Sequence, residues 1–257
     1  MVRSPLITAS ILAGINGALA ALLTCGPFQY DPAQYVCWSN AFLCPIKAGE
    51  PLSYCAGACY SKFMYTCSPQ TNTLSLLPTL PPGTPFRLSA SNPSEPGVHG
   101  LPVSATGLKL YVGGTTSSYC PVAQVGAACP AGNTTQFVAF DGSVSMNVLV
   151  PGGQAAYLGP DSIMGYTQAH SAYIPEGSKR TGFAAYAGGG FVNLNSGGWG
   201  WVACPSTSPV GGGGYWRLVA RNETTAGELA VWGCREVNLK VEVVDQRPGE
   251  FGAWQYA

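Results

Sequence analysis

The chain has 257 residues, 46% of them hydrophobic, which is enough apolar material to bury a core and too much for a disordered polypeptide. Only 9% of residues are charged, and 12 basic groups cancel 12 acidic ones, so no electrostatic surface exists to gather a polyanion and nucleic acid is excluded as a partner. Glycine (34) and proline (21) are abundant, which disfavours long helices and predicts an all-β protein of short strands joined by turns.

Residues 1–20 read as a signal peptide. A single cation, Arg3, precedes an uncharged run from Ser4 to Thr24, and Ala18-Leu19-Ala20 offers a small-x-small cleavage site, so the mature chain is expected to start at Ala21. An uncleaved anchor is the alternative, the apolar run being about as long as a bilayer is thick. The last residues, Glu250 to Ala257, lack the hydrophobic tail of a lipid-anchor signal. The expected product is secreted, released or held in an extracellular matrix, with no membrane contact after cleavage.

Ten cysteines in an exported chain predict five disulfides. Six fall close together (Cys25, Cys37, Cys44, Cys55, Cys59, Cys67) and four are spread out (Cys120, Cys129, Cys204, Cys234), which implies two modules. If each module closes its own bridges, about 45 pairing patterns remain open. Cys120 with Cys129 would staple a hairpin, and Cys204 with Cys234 would join strands around an exposed loop. Zinc at the Cys55-x3-Cys59 pair is the competing reading, weakened because neither histidine is nearby. No metal and no cofactor are expected.

Residues 25–37 (CGPFQYDPAQYVC) and 55–67 (CAGACYSKFMYTC) align at an offset of 30, with Cys25/Cys55, Tyr30/Tyr60, Tyr35/Tyr65 and Cys37/Cys67 identical. So short a unit cannot fold on hydrophobic burial alone, and its bridges must supply the stability. Nine of the 43 residues from 25 to 67 are aromatic, about 21% against 11% for the chain. A small module cannot hide nine rings. Exposed rings with a polar rim suit the CH-rich face and hydroxyl fringe of a sugar, and Asp31, Lys47, Glu50 and Lys62 sum to zero charge. A neutral polysaccharide is therefore the expected ligand, with Tyr30, Tyr35, Trp38, Tyr60 and Tyr65 as candidate contacts. Rings that merely pack on the disulfides are the competing explanation.

The segment Cys25–Cys67, with YDPAQYVCW, FLCPIKAGEPLSYC and GACYSKFMYTC, resembles carbohydrate-binding module family 52, the small domain of fungal endo-1,3-β-glucanases. That resemblance implies binding to cell-wall glucan, β-1,3-linked in the enzymes that carry the module. The copies differ where Phe28-Gln29 faces Ala58-Cys59 and where Trp38 faces Ser68.

Seven prolines between Pro69 and Pro96 mark a linker, placed at 69–84 after a module spanning 21–68. A β-sandwich or β-barrel domain is expected over 85–245, beginning with the alternating Phe86–Ala90, and a C-terminal tail over 246–257. Further strands are expected at 108–112, 136–140, 143–150, 181–186, 200–203, 215–220, 229–232 and 238–244, separated by glycine turns. Asn133-Thr134-Thr135 and Asn222-Glu223-Thr224 are glycosylation sequons, which places Asn133 and Asn222 in solvent-facing loops. The order FRLSAS, HGLPVSA, KLYVGG, FDGSVSM, KRTGFAAYAGGGF and WGWVACP is similar to fungal phialide-associated cell-wall proteins. That likeness implies a β-rich wall or secreted protein and transfers no catalytic residue.

The phosphate-binding loop, the Gly-x-Ser-x-Gly elbow and HExxH are all missing from the sequence. His99 and His170 read as structural, and Gly211–Gly214 as a flexible turn. The expected function is a non-catalytic binder of β-1,3-glucan. Two alternatives are a small endo-β-glucanase, whose carboxylates would be a pair such as Asp141 and Asp161, and a secreted interaction protein that masks wall glucan.

Overall fold

The computed structural model describes residues 21–194, 200–206, 215–221, 231–245 and 250–257. The expected signal peptide, Gly211–Gly214, the sequon at Asn222 and residues 246–249 of the expected tail lie outside the described residues.

Nine short strands build the amino-terminal module: β1 (Leu23–Cys25), β2 (Phe28–Tyr30), β3 (Tyr35–Trp38), β4 (Phe42–Lys47), β5 (Glu50–Pro51), β6 (Ser53–Cys55), β7 (Ala58–Tyr60), β8 (Tyr65–Ser68) and β9 (Thr73–Leu76). They form four antiparallel hairpins, β1–β2, β3–β4, β6–β7 and β8–β9, with β5 added at the edge of β4. Each successive pair of hairpins is joined by one disulfide, Cys25–Cys37, then Cys44–Cys59, then Cys55–Cys67. Cys55 and Cys59 thus belong to different bridges, which removes the zinc reading. The module's buried residues are Cys25, Cys44, Ala48, Ser53 and Cys55, and none of them belongs to an apolar cluster. The cross-links are its core.

The repeat seen in the sequence is a structural repeat. Tyr35 N–H and Gln34 N–H donate to Asp31 O, and Tyr65 N–H and Met64 N–H donate to Ser61 O, each at 3.0–3.1 Å. The Asp31 carboxylate accepts from Ala33 N–H (2.8 Å), and the Ser61 hydroxyl accepts from Phe63 N–H (3.2 Å), so a short polar side chain closes the same turn in both copies.

The second domain has β10 (Pro85–Ser91), β11 (Val103–Thr106), β12 (Lys109–Val112), β13 (Ser118–Tyr119), β14 (Phe137–Ala139), β15 (Val144–Met146), β16 (Ala156–Leu158), β17 (Met164–Tyr166), β18 (Phe183–Ala185), β19 (Phe191–Asn193), β20 (Trp201–Pro205), β21 (Trp216–Ala220), β22 (Arg235–Val243) and β23 (Gln255–Tyr256). Its main sheet runs β15-β14-β10-β22-β20-β21-β12-β17-β16, with β11 beside β12. A bridge between Ser145 and Ala155, with Met146 N–H donating to Gln154 O (2.9 Å), joins the two ends of that path. The sheet therefore closes as a barrel. One apolar cluster fills it, including Phe86 stacked on Phe137 (5.6 Å) and Phe191 stacked on Trp201 (5.5 Å). Cys204–Cys234 links neighbouring strand ends, whereas Cys120–Cys129 closes a loop around a helical turn, Val122–Val125, instead of a hairpin.

Three boundary expectations need correction. The expected linker is not a free spacer: Thr73–Leu76 pairs with β8, Ala187 N–H donates to Pro78 O (2.9 Å), and Leu80 is buried in the barrel core. The expected tail is also structural, because β23 pairs with β13 and both Ala253 and Tyr256 are buried. Gln154 fixes that end by accepting from Tyr256 N–H (2.8 Å) and donating to Tyr256 O (3.0 Å), polar pairings that apolar periodicity does not reveal. The strand expected at 229–232 is not found at Val231 or Trp232, which lie outside any strand; residues 229–230 are outside the described set.

Candidate carbohydrate-binding site

Side chains alternate across a strand, and directly paired residues of an antiparallel hairpin share a face. In β1–β2, Leu23 opposes Tyr30 and Cys25 opposes Phe28, so these four share one face. In β3–β4, Tyr35 and Cys37 share a face with Pro45 and Leu43. Because Cys25 is bonded to Cys37, those two faces look at each other. Phe28, Tyr30 and Tyr35 therefore gather around one disulfide. Two-stranded hairpins are too narrow to seal the layer between them: Phe28 is 58% exposed, Leu23 48% and Tyr35 39%.

Trp38 lies on the opposite face of β3, with Val36, Phe42 and Cys44. The Cys44–Cys59 bridge closes this layer against β6–β7, Phe42 packs on Tyr54 (4.7 Å), and Trp38 Nε1–H donates to Leu52 O (3.2 Å). Trp38 thus holds the two copies together and does not join Tyr35.

In the second copy, Ser53, Cys55, Ala58 and Tyr60 share a face that meets Tyr65, Cys67, Leu74 and Leu76 across Cys55–Cys67. Its turn is engaged with the barrel. Phe63 O accepts from Gly190 N–H (2.8 Å), and a Cβ at Gly189 or Gly190 would collide with Phe63. The phenol pKa of the barrel's Tyr186 is raised, first by burial and then by the Tyr65 phenol of the module. A second attachment is the turn after β4, where Gly49 has φ +70° and a Cβ would strike Asn92 and Ser94 of the barrel. Ala48 N–H beside it donates to the Glu236 carboxylate (3.4 Å), and Ser91 Oγ bonds the Glu50 carboxylate (2.5 Å). Sequence reading missed this docking, since its signals are glycines that look like ordinary turn residues.

None of the five candidate rings is buried, but they divide: Tyr30 and Tyr35 in the open layer, Trp38 between the copies, Tyr60 and Tyr65 in the docked copy. On the barrel, a groove of about 660 Å³ includes Arg87, His99, Thr115 and Asn133 in its lining, with His99 Nδ1 accepting from Asn92 N–H (3.1 Å). Asp161 is occupied in its own turn, accepting from Ile163 N–H (3.2 Å), and Asp141 sits in the turn between β14 and β15. Among the described residues no helix is long and apolar enough to cross a membrane.

Residues 24–72 match a family described as carbohydrate binding, a span that runs past Cys67 to the end of β8 and the turn that follows it. Residues 86–257 match the family of PhiA-like secreted proteins, which extends over the final segment. The chain belongs to the PhiA-like secreted protein family. It is also 38% identical over 189 residues to an "Uncharacterized secreted protein" of Arthroderma benhamiae, covering 70% of this chain and 89% of that protein. No solved structure matches it. This PhiA-like protein is thus an extracellular protein carrying an amino-terminal carbohydrate-binding domain.

Proposed function

We propose that the protein is a non-catalytic β-1,3-glucan binder that resides at a cell wall, with the aromatic residues of the module as its contact surface. The observation that carries this reading is the open layer around Cys25–Cys37: three large apolar side chains, Leu23, Phe28 and Tyr35, stand exposed on a scaffold whose stability comes from covalent bonds and not from hiding them. Rings so held lose little conformational freedom on contact, and the CH face of a pyranose can lie against them while hydroxyls bond Tyr30 and Tyr35. Asn133, exposed on the barrel surface, is an acceptor for N-linked sugar in this reading.

The test incubates the full secreted chain with particulate β-1,3-glucan, chitin and cellulose, measuring sedimented protein and reducing ends released. Retention on β-1,3-glucan above the other two, with no new reducing ends, is expected. Release of reducing sugar would make the protein a hydrolase, and preference for chitin or cellulose would overturn the linkage.

A further inference from the structure

We infer that the two copies of the repeat have divided their labour: the first grips the glycan across the layer around Cys25–Cys37, and the second is a clamp that fixes the module to the barrel. This rests on the glycan-binding reading and narrows it to one site per chain.

Three observations converge. First, at the offset of 30, Leu23 and Phe28 correspond to Ser53 and Ala58, so the first layer has gained two large apolar side chains that the second lacks. Second, the exposed apolar surface differs at these two positions: Leu23 and Phe28 are about half exposed, whereas Ser53 is buried and Ala58, though exposed, offers only a methyl group. Third, the turn that closes each copy has opposite fates. Phe63 in the second meets Gly189 and Gly190 of the barrel, whereas its counterpart Ala33 is exposed to solvent. Phe63 wedges against the barrel at a position where the first copy has only the methyl group of Ala33.

The occupant follows from charge and shape. The layer's own contributors, Leu23, Phe28, Tyr30, Tyr35 and Leu43, carry no charge, which favours an uncharged ligand with an apolar face and a hydroxyl rim over an acidic or basic one. That chemistry is a neutral pyranose chain. The turn that leads into Tyr65 in the second copy is already held by the barrel, where Phe63 O accepts from Gly190 N–H (2.8 Å).

The test converts each copy toward the other in the full chain. L23S/F28A gives the first layer the residues of the second, and Leu76→Ala removes an equally exposed apolar side chain from the second layer as a matched control. Retention on particulate β-1,3-glucan is read as an apparent Kd, and thermal unfolding confirms that both variants fold. L23S/F28A is expected to weaken retention at least 10-fold, and L76A to change it less than twofold. If the parent chain is retained and L23S/F28A is retained equally well, the division of labour is wrong while glycan binding stands. An equal loss in L76A would show that both copies bind and would also overturn it. A parent chain retained on no glycan overturns the functional reading itself.

Discussion

The module and the barrel solve the same problem with opposite materials. In the barrel, Phe86, Phe137, Phe191 and Trp201 are buried in a single apolar cluster, and aromatic surface is the stabilising material. In the module, the most buried residues are half-cystines, and nine rings are left partly or wholly exposed. Covalent closure removes entropy from the unfolded chain whatever the side chains do, so the module alone can spend its rings on a ligand. Aromatic content by itself therefore says little about function; what matters is whether something else holds the fold.

That contrast sets the size of the expected effects. Phe86→Ala opens a cavity against Phe137 and Phe191 and is expected to cost about 3–5 kcal/mol, whereas Phe28→Ala should stay within about 0.5 kcal/mol, both read by chemical denaturation. Comparable losses at the two phenylalanines would erase the distinction. Removing the Cys44–Cys59 bridge by paired alanines is expected to cost the module about 3 kcal/mol for its separation of 15 residues, with the barrel transition unmoved. Gly49→Ala, which combines a positive φ with a collision on Asn92, is expected to cost about 1–3 kcal/mol and to make the linker around Leu77 more sensitive to limited proteolysis.

The smallest effect is a pH dependence confined to the barrel. Burial pushes the phenols of Tyr166 and Tyr256 well above the ordinary tyrosine value. The folded state then holds protons that the unfolded chain releases, so stability is flat below about pH 10 and falls as pH rises beyond it. The Tyr166 and Tyr256 phenols should titrate only with barrel unfolding, which absorbance near 295 nm would follow.

Much of this was legible in the sequence, because the decisive signals are local. The disulfide-rich module announced itself through cysteine spacing, and the offset of 30 between Cys25 and Cys55 marked a real structural repeat. The equivalence of Asp31 with Ser61 was invisible as identity, since a carboxylate and a hydroxyl close the same turn by the same hydrogen bond. The fate of Trp38 needed the register: one residue along a strand reverses the face, and spacing from Tyr35 alone did not say which face each copy would turn outward. Short strands such as Ala156–Leu158 were missed because they are buried on both sides and carry no alternation. The docking of the module on the barrel depends on Gly49 and Gly190, whose role is to have no side chain where two units touch.

The most direct test is a binding isotherm of the full chain on washed particulate β-1,3-glucan, measured at low salt and again at about 1 M NaCl. Contact through uncharged rings with an uncharged polysaccharide should give saturable retention that high salt leaves intact or slightly strengthens. Retention that salt abolishes, or none at either concentration, would contradict a glycan site built from exposed aromatic residues on a cross-linked scaffold.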